Sequence, residues 1–105
     1  MTHEIITDIR YSFPATKWVK MAKASEQKDH VISEFIEMLT ADTQLKKLEE
    51  AIDLYHSLET YFRILERDGT DIPGHFRKVY KKNKARGYYE NLDTQTTEPE
   101  TNAKD

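Results

Sequence analysis

The segment from Thr43 to Arg67 carries an apolar side chain at every third or fourth position, and this period constrains the fold more than any other feature of the chain. Such spacing places side chains on one face of an α-helix. The repeating residues are Leu45, Leu48, Ile52, Tyr55, Leu58, Phe62 and Leu65. Ala51, Leu54, Tyr61 and Ile64 widen the apolar surface. We therefore expect this helix to have two kinds of neighbour: other helices of its own chain, and a partner subunit.

Shorter segments show the same period, so the sequence predicts an all-α fold, an antiparallel bundle of about four helices. One helix is expected near Lys17, one over residues 26–39 and one over residues 75–86. The second of these has one broad apolar side, formed by Val31, Ile32, Phe35, Met38 and Leu39. Residues 40–43 offer a polar turn and a helix cap, and Gly69 and Gly87 suit helix ends. Residues 72–74 are expected to space two helices.

Length and composition favour one small domain of a soluble protein. The predicted organisation is an N-terminal arm over residues 1–16, an all-α domain over residues 17–92 and a disordered tail over residues 93–105. Cysteine is absent, which excludes disulfides, thiolate nucleophiles and cysteine-ligated zinc. The chain has no long apolar run and its N-terminus does not resemble a signal peptide, so we expect a cytoplasmic protein without a membrane partner.

The small size of the chain also bears on its partners. A chain of 105 residues with a charged cleft gains stability by burying apolar surface against a copy of itself, so a homodimer or homotetramer is expected. The net charge of −3 argues against a nucleic-acid polymer as partner.

Two acidic pairs suggest a metal site. Glu34 and Glu37 are three positions apart, Glu50 and Asp53 are also three positions apart, and twelve residues separate the two pairs. A turn in this gap would bring four carboxylates together on antiparallel helices, where they repel one another unless a cation lies between them. Mg²⁺ prefers such oxygen ligands. His30 lies one turn before Glu34 and shares its face, although a solvated histidine is the favoured interpretation.

A basic run follows the last predicted helix core. Lys81, Lys82, Lys84 and Arg86 suit the negative end of a helix dipole, and this is the favoured interpretation of the run by itself. Combined with an acidic metal site, the same residues would complement the phosphates of a nucleotide.

Together these motifs resemble the signature of the MazG-like all-α nucleoside triphosphate pyrophosphohydrolases. The resemblance covers about Trp18 to Tyr89 and depends on Glu-Phe-Ile-Glu at 34–37, Glu-Ala-Ile-Asp at 50–53 and Lys-Asn-Lys-Ala-Arg-Gly-Tyr at 82–88. It implies that Glu34, Glu37, Glu50 and Asp53 bind Mg²⁺, or Mn²⁺ as a substitute, and form the catalytic centre. It also implies that Lys82, Asn83 and Arg86 bind substrate. Ser33 departs from the family pattern, in which a further glutamate often precedes the first pair, and this leaves the number of metal ions open.

The reaction implied by the resemblance is hydrolysis between the α and β phosphates of a nucleoside triphosphate. The products are a nucleoside monophosphate and pyrophosphate. Trp18 and Tyr55 are nominated to contact the base. Two alternatives stay open: a phosphoribosyl-ATP pyrophosphohydrolase, and a non-catalytic helical adaptor whose acidic residues are surface charge.

Overall fold

The structure is a computed structural model that describes residues 10–90. The predicted tail over residues 93–105 and the first nine residues of the predicted arm lie outside the described residues. Within the described part, the chain divides into two compact units, residues 10–72 and residues 73–90. Each unit is described by itself.

Four α-helices make up the regular structure of residues 10–90. They are α1 (Trp18–Met21), α2 (Ala24–Thr40), α3 (Gln44–Arg67) and α4 (Ile72–Ala85). No strand occurs between residues 10 and 90, so the all-α prediction is confirmed. In the same range, no helix combines the length and the apolar character that crossing a membrane requires.

Local side-chain chemistry explains most of the helix ends. Thr43 caps α3, because its hydroxyl accepts a hydrogen bond from the Lys46 N–H at 3.1 Å. Gly69 follows α3 with a φ of 103°, a left-handed conformation that favours glycine. The expected spacer at residues 72–74 was wrong, because α4 already begins at Ile72. Pro73 is tolerated in its first turn, where the missing N–H would have had no partner within the helix.

Helices α2 and α3 pack against each other in antiparallel directions. Gln27, near the start of α2, donates a hydrogen bond from Nε2 to the carbonyl of Ser57, late in α3, at 3.0 Å. Glu34, further along α2, lies beside Glu50 and Asp53, earlier in α3. The predicted fold-back at residues 40–43 is therefore confirmed, and it places the two acidic pairs on facing helices.

Most of the buried side chains in residues 10–72 are polar. Gln27, Ser57, Glu59 and Thr60 are buried, whereas Ile64 and Ile72 are the only hydrophobic residues between 10 and 90 that reach the same degree of burial. Large apolar side chains are instead exposed on both helices: Ile32, Phe35, Ile36 and Leu39 on α2, and Leu45, Leu48, Ile52 and Tyr55 on α3. The predicted helical period is correct, but much of the apolar stripe faces away from the core of this unit.

A non-helical segment, residues 10–16, crosses the second half of α3 and is held by a buried carboxylate. Glu59 is 4% exposed and accepts the backbone N–H groups of Ser12 and Phe13 at 2.7 and 3.0 Å. The Phe13 ring stacks on the His56 ring with centroids 4.3 Å apart. Since a buried charge is tolerated only when it is hydrogen-bonded, Glu59 and the segment over it stabilise each other.

The contact made by Glu59 depends on its charge. Burial alone raises the pKa of Glu59, but the hydrogen bonds from Ser12 and Phe13, with contributions from Tyr55 and Arg63, outweigh burial and hold the pKa below its ordinary value. A lowered folded-state pKa stabilises the fold above the ordinary glutamate range. This stabilisation is lost as the pH falls through the lowered pKa.

We expect Glu59→Gln to remove this acid-sensitive contribution. The difference in unfolding free energy between the wild type and Glu59→Gln should shrink as the pH is lowered from about 6 to about 3, and urea unfolding followed by circular dichroism measures it. Glu66→Gln is the matched control, because Glu66 is exposed on the same helix. The hydrogen bond that it accepts from the Tyr11 hydroxyl is long at 3.4 Å. A constant difference across this pH range would contradict the assigned role of Glu59.

Candidate metal centre and adjoining cavity

Three of the four predicted metal ligands converge between α2 and α3. Glu34, Glu50 and Asp53 each present a carboxylate oxygen, and these oxygens all lie within 4.8 Å of one another. Glu50 and Asp53 are one turn apart on α3, which aims both toward the same point on α2. Glu37 lies outside this set of three, but its side chain lies close enough to that of Glu50 to share a proton with it and raise its pKa. The structure thus brings together three members of the sequence-predicted quartet, and Glu37 lies near them without joining the set.

The cluster makes ionisation of Glu34 unfavourable. Burial, followed by the negative charges of Glu37 and Asp53, raises the pKa of Glu34, and nearby His30 opposes this rise. His30 Nε2 lies 3.2 Å from Glu34 Oε2. His30 therefore contacts the cluster, which the favoured sequence interpretation did not assume. Ser33 donates its hydroxyl along its own helix to the Asp29 carbonyl at 3.3 Å.

Glu50 shows the same effect from the opposite helix. Burial raises its pKa first, followed by the charges of Glu37 and Asp53, the hydrogen bond with Glu37, and the charge of Glu34. Like charges held this close favour a shared proton or a bound cation.

The atoms at the centre fit a hard divalent cation. Glu34 Oε1 and Glu50 Oε1 are buried and accept no hydrogen bond from any residue between 10 and 90. A buried carboxylate oxygen without a partner carries a large desolvation cost. An oxygen-only donor set with several carboxylates is the set that Mg²⁺ or Mn²⁺ takes. The residues present therefore fit the metal that the sequence resemblance implies.

A cavity of about 170 Å³ adjoins the carboxylates. Two of the three clustered residues, Glu34 and Asp53, form part of its wall. The other lining residues are Thr16, Trp18, Gln27, His30, His56, Ser57 and Thr60. Trp18, which was nominated to contact the base, lines this cavity. Tyr55 is not among the lining residues, and its hydroxyl instead pairs with the Ser12 hydroxyl at 3.0 Å.

The three predicted substrate-binding residues lie in the second unit, at the end of α4. Lys82 and Asn83 occupy its last turn, where their carbonyls accept the N–H groups of Arg86 and Tyr88 at 3.1 and 3.0 Å. Gly87 ends this region with a φ of 79°, as predicted. The Arg86 guanidinium donates to the Tyr88 hydroxyl at 3.2 Å. Lys82 and Arg86 are one helical turn apart, a spacing at which side chains on a helix are neighbours.

Sequence reasoning missed most of the polar cavity wall. Gln27, His56, Ser57 and Thr60 were not singled out, and neither was buried Glu59. A signal was present in the spacing, since Gln27, His30 and Glu34 are three and four positions apart on α2. Asp53, His56, Ser57 and Thr60 follow a similar helical period on α3. Such a polar stripe is easily taken for a solvated face when the apolar stripe is assumed to form the core.

Comparisons with protein-family models, with curated proteins and with solved structures find no match to this chain. The assignment of chemistry to this site therefore depends on its geometry and on the sequence motifs.

Replacing Glu50 should separate charge repulsion from metal binding. We expect Glu50→Gln to raise the melting temperature in the presence of a chelator, because it removes one of the mutually repelling carboxylates. The same variant should lose most of the increase in melting temperature that millimolar Mg²⁺ gives the wild type. Differential scanning fluorimetry with and without Mg²⁺ measures both effects. Glu49→Gln, an exposed neighbour on α3, is the matched control and should behave as the wild type does.

Proposed function

We propose that this protein is a Mg²⁺-dependent nucleoside triphosphate pyrophosphohydrolase that cleaves between the α and β phosphates. The observation that carries the proposal is the cluster of Glu34, Glu50 and Asp53, with two buried carboxylate oxygens that have no partner among residues 10–90. The resemblance of the acidic and basic motifs to MazG-like enzymes supports the reaction class.

The carboxylates have distinct parts in this proposal. Glu34, Glu50 and Asp53 would hold the metal, and a metal bound there would polarise the phosphate oxygens and make an attacking water more acidic. Glu37 is exposed and lies beside Glu50 outside the set of three, so it is free to orient the attacking water and accept its proton. The resemblance to the MazG-like enzymes assigns Lys82, Asn83 and Arg86 to the phosphates, where the two cations would offset charge on the departing pyrophosphate.

The adjoining cavity is proposed to receive the base. Its wall combines aromatic rings, from Trp18 and His56, with the hydroxyls of Ser57 and Thr60. Aromatic faces stack on a flat heterocycle, and hydroxyls bond to its polar edge. A volume of about 170 Å³ is small compared with pockets that enclose whole drug-sized ligands, so sugar and phosphates would extend toward the carboxylates.

A panel of ribo- and deoxyribonucleoside triphosphates with Mg²⁺ tests the reaction. We expect pyrophosphate release from at least one member. Glu50→Gln and Asp53→Asn should each lower kcat by at least about 100-fold without loss of the helical circular dichroism signal, because each removes a ligand charge. Glu49→Gln should retain wild-type activity.

Two results would redirect the assignment. Turnover of phosphoribosyl-ATP in preference to every nucleoside triphosphate would favour the alternative pyrophosphohydrolase. The absence of any turnover, together with a melting temperature that Mg²⁺ does not change, would favour the non-catalytic adaptor.

We also propose that α2 and α3 are completed by a second copy of the chain, in a homodimer or a dimer of dimers. The polar faces of both helices are used against each other, whereas Ile36 and Leu48 are 52% and 55% exposed among other apolar side chains. An isologous interface brings the same patch from two subunits together, and an apolar patch is complementary to its own copy. Two copies of this helix pair would form the predicted bundle.

Charge placed on this apolar face should separate the subunits. We expect Leu48→Glu to shift the chain to monomer, because a buried unpaired carboxylate at an apolar interface is strongly unfavourable. Light scattering coupled to size-exclusion chromatography measures the mass. Ser33→Glu is the matched control, since it adds the same charge at an exposed position of α2 away from the apolar side. A wild type that elutes as a monomer at high concentration would refute the proposed interface.

A further inference from the structure

The cavity wall has one part that belongs to neither of the long helices. Among its lining residues, only Thr16 and Trp18 lie outside α2 and α3. Both belong to the segment of residues 10–22, which we call the arm segment and which contains the short helix α1. Since α1 has only four residues, it is not stable by itself and takes its position from contacts with α3.

Glu59 holds the part of the arm segment that precedes the cavity-lining residues Thr16 and Trp18. Its carboxylate accepts two consecutive backbone N–H groups, from Ser12 and Phe13, at 2.7 and 3.0 Å. Because these bonds go to the backbone, they fix the course of the chain just before Thr16. Thr16 then lies with its hydroxyl 3.4 Å from that of Thr60, at the cavity wall.

Arg67 holds the other end of the same segment. Its Nη1 donates to the carbonyls of Val19 and Ala22, both at 2.9 Å. Asp68 accepts two hydrogen bonds from the same guanidinium, at 2.9 and 3.1 Å, and so orients it. The main chain is therefore held on both sides of Thr16 and Trp18. Glu59 binds it at residues 12 and 13, and Arg67 binds it at residues 19 and 22.

We propose that Glu59 is a positioning residue for substrate binding, which fixes the arm segment as the third wall of the cavity beside Glu34 and Asp53. The inference rests on the proposed function, because the bound ligand is taken to be the nucleotide. Glu59 is neither one of the clustered carboxylates nor a residue that lines the cavity, so its replacement loosens the hold on the base without removing a metal ligand. Trp18, which is 46% exposed, is the side chain whose placement changes.

This role predicts a specific kinetic pattern. We expect Glu59→Gln to raise KM for the best nucleoside triphosphate about tenfold, the equivalent of ~1.4 kcal/mol of binding free energy, while kcat stays within about twofold. The Mg²⁺-dependent rise in melting temperature should be unchanged, since the ligand carboxylates are intact. Glu66→Gln removes a carboxylate from the same helix outside these backbone contacts, and its KM should equal that of the wild type.

Trp18 supplies a readout that needs no turnover. It is the only tryptophan in the chain, so its fluorescence reports the cavity wall directly. Titration with the nucleoside monophosphate product and Mg²⁺ should change the fluorescence of the wild type and of Glu66→Gln. The same titration of Glu59→Gln should give about a tenfold weaker Kd, and its spectrum without ligand should shift to longer wavelength.

Several outcomes overturn the proposal. An active Glu59→Gln enzyme with an unchanged KM refutes it while leaving the proposed reaction intact. A wild type that neither turns over nor binds any nucleotide refutes the reaction and the positioning role together. If Glu59→Gln does not fold, Arg67→Gln carries the test, because it releases the other end of the same segment. A raised KM with retained kcat in that variant supports the positioning role of these contacts, and a parallel loss of kcat and helicity shows a structural role only.

Discussion

Repulsion between carboxylates held on two facing helices is the constraint on which the rest of this structure depends. Glu34, Glu50 and Asp53 lie with oxygens within 4.8 Å of one another, and burial together with neighbouring charge raises the pKa of both glutamates. No residue between 10 and 90 donates a hydrogen bond to the buried oxygens Glu34 Oε1 and Glu50 Oε1. A helix pair that maintains such a contact gives up stability, which is typical of functional sites.

The polar contact has a consequence for the opposite faces of the same helices. Because α2 and α3 use Gln27, Ser57 and the carboxylates against each other, many of their large aliphatic side chains, such as Ile36 and Leu48, are exposed. An isolated unit arranged in this way buries little apolar surface, and the hydrophobic effect supplies most of the stability of a small domain. The acidic centre and the proposed subunit interface thus have one origin: on α2 and α3, polar residues lie between the helices and many apolar residues are exposed.

The sequence predicts the helices well because their signals are local. The 3.6-residue period, the Thr43 cap and the glycines at 69 and 87 act over a few positions, and all appear where expected. The start of α4 was misplaced because a proline in a first helical turn has the same local signature as one in a loop. The convergence of Glu34 with Glu50 and Asp53 was predictable from the turn between the helices. The burial of Glu59 was not, because its partners Ser12 and Phe13 are more than forty positions away and contribute backbone atoms that no residue pattern specifies.

Glu59 and the acidic centre show two physical solutions to burying carboxylates in one small unit. Glu59 accepts fixed N–H donors of its own chain, so its charge is favourable and its pKa is lowered. Glu34 and Glu50 face other carboxylates, so their charges are unfavourable and their pKa values are raised. The first arrangement is complete within the chain and serves to fix backbone, whereas the second is completed only by a positive charge from outside. The opposite pKa shifts of Glu59 and Glu50, both on α3, therefore accompany two different surroundings: hydrogen-bond donors of the same chain for Glu59, and other carboxylates for Glu50.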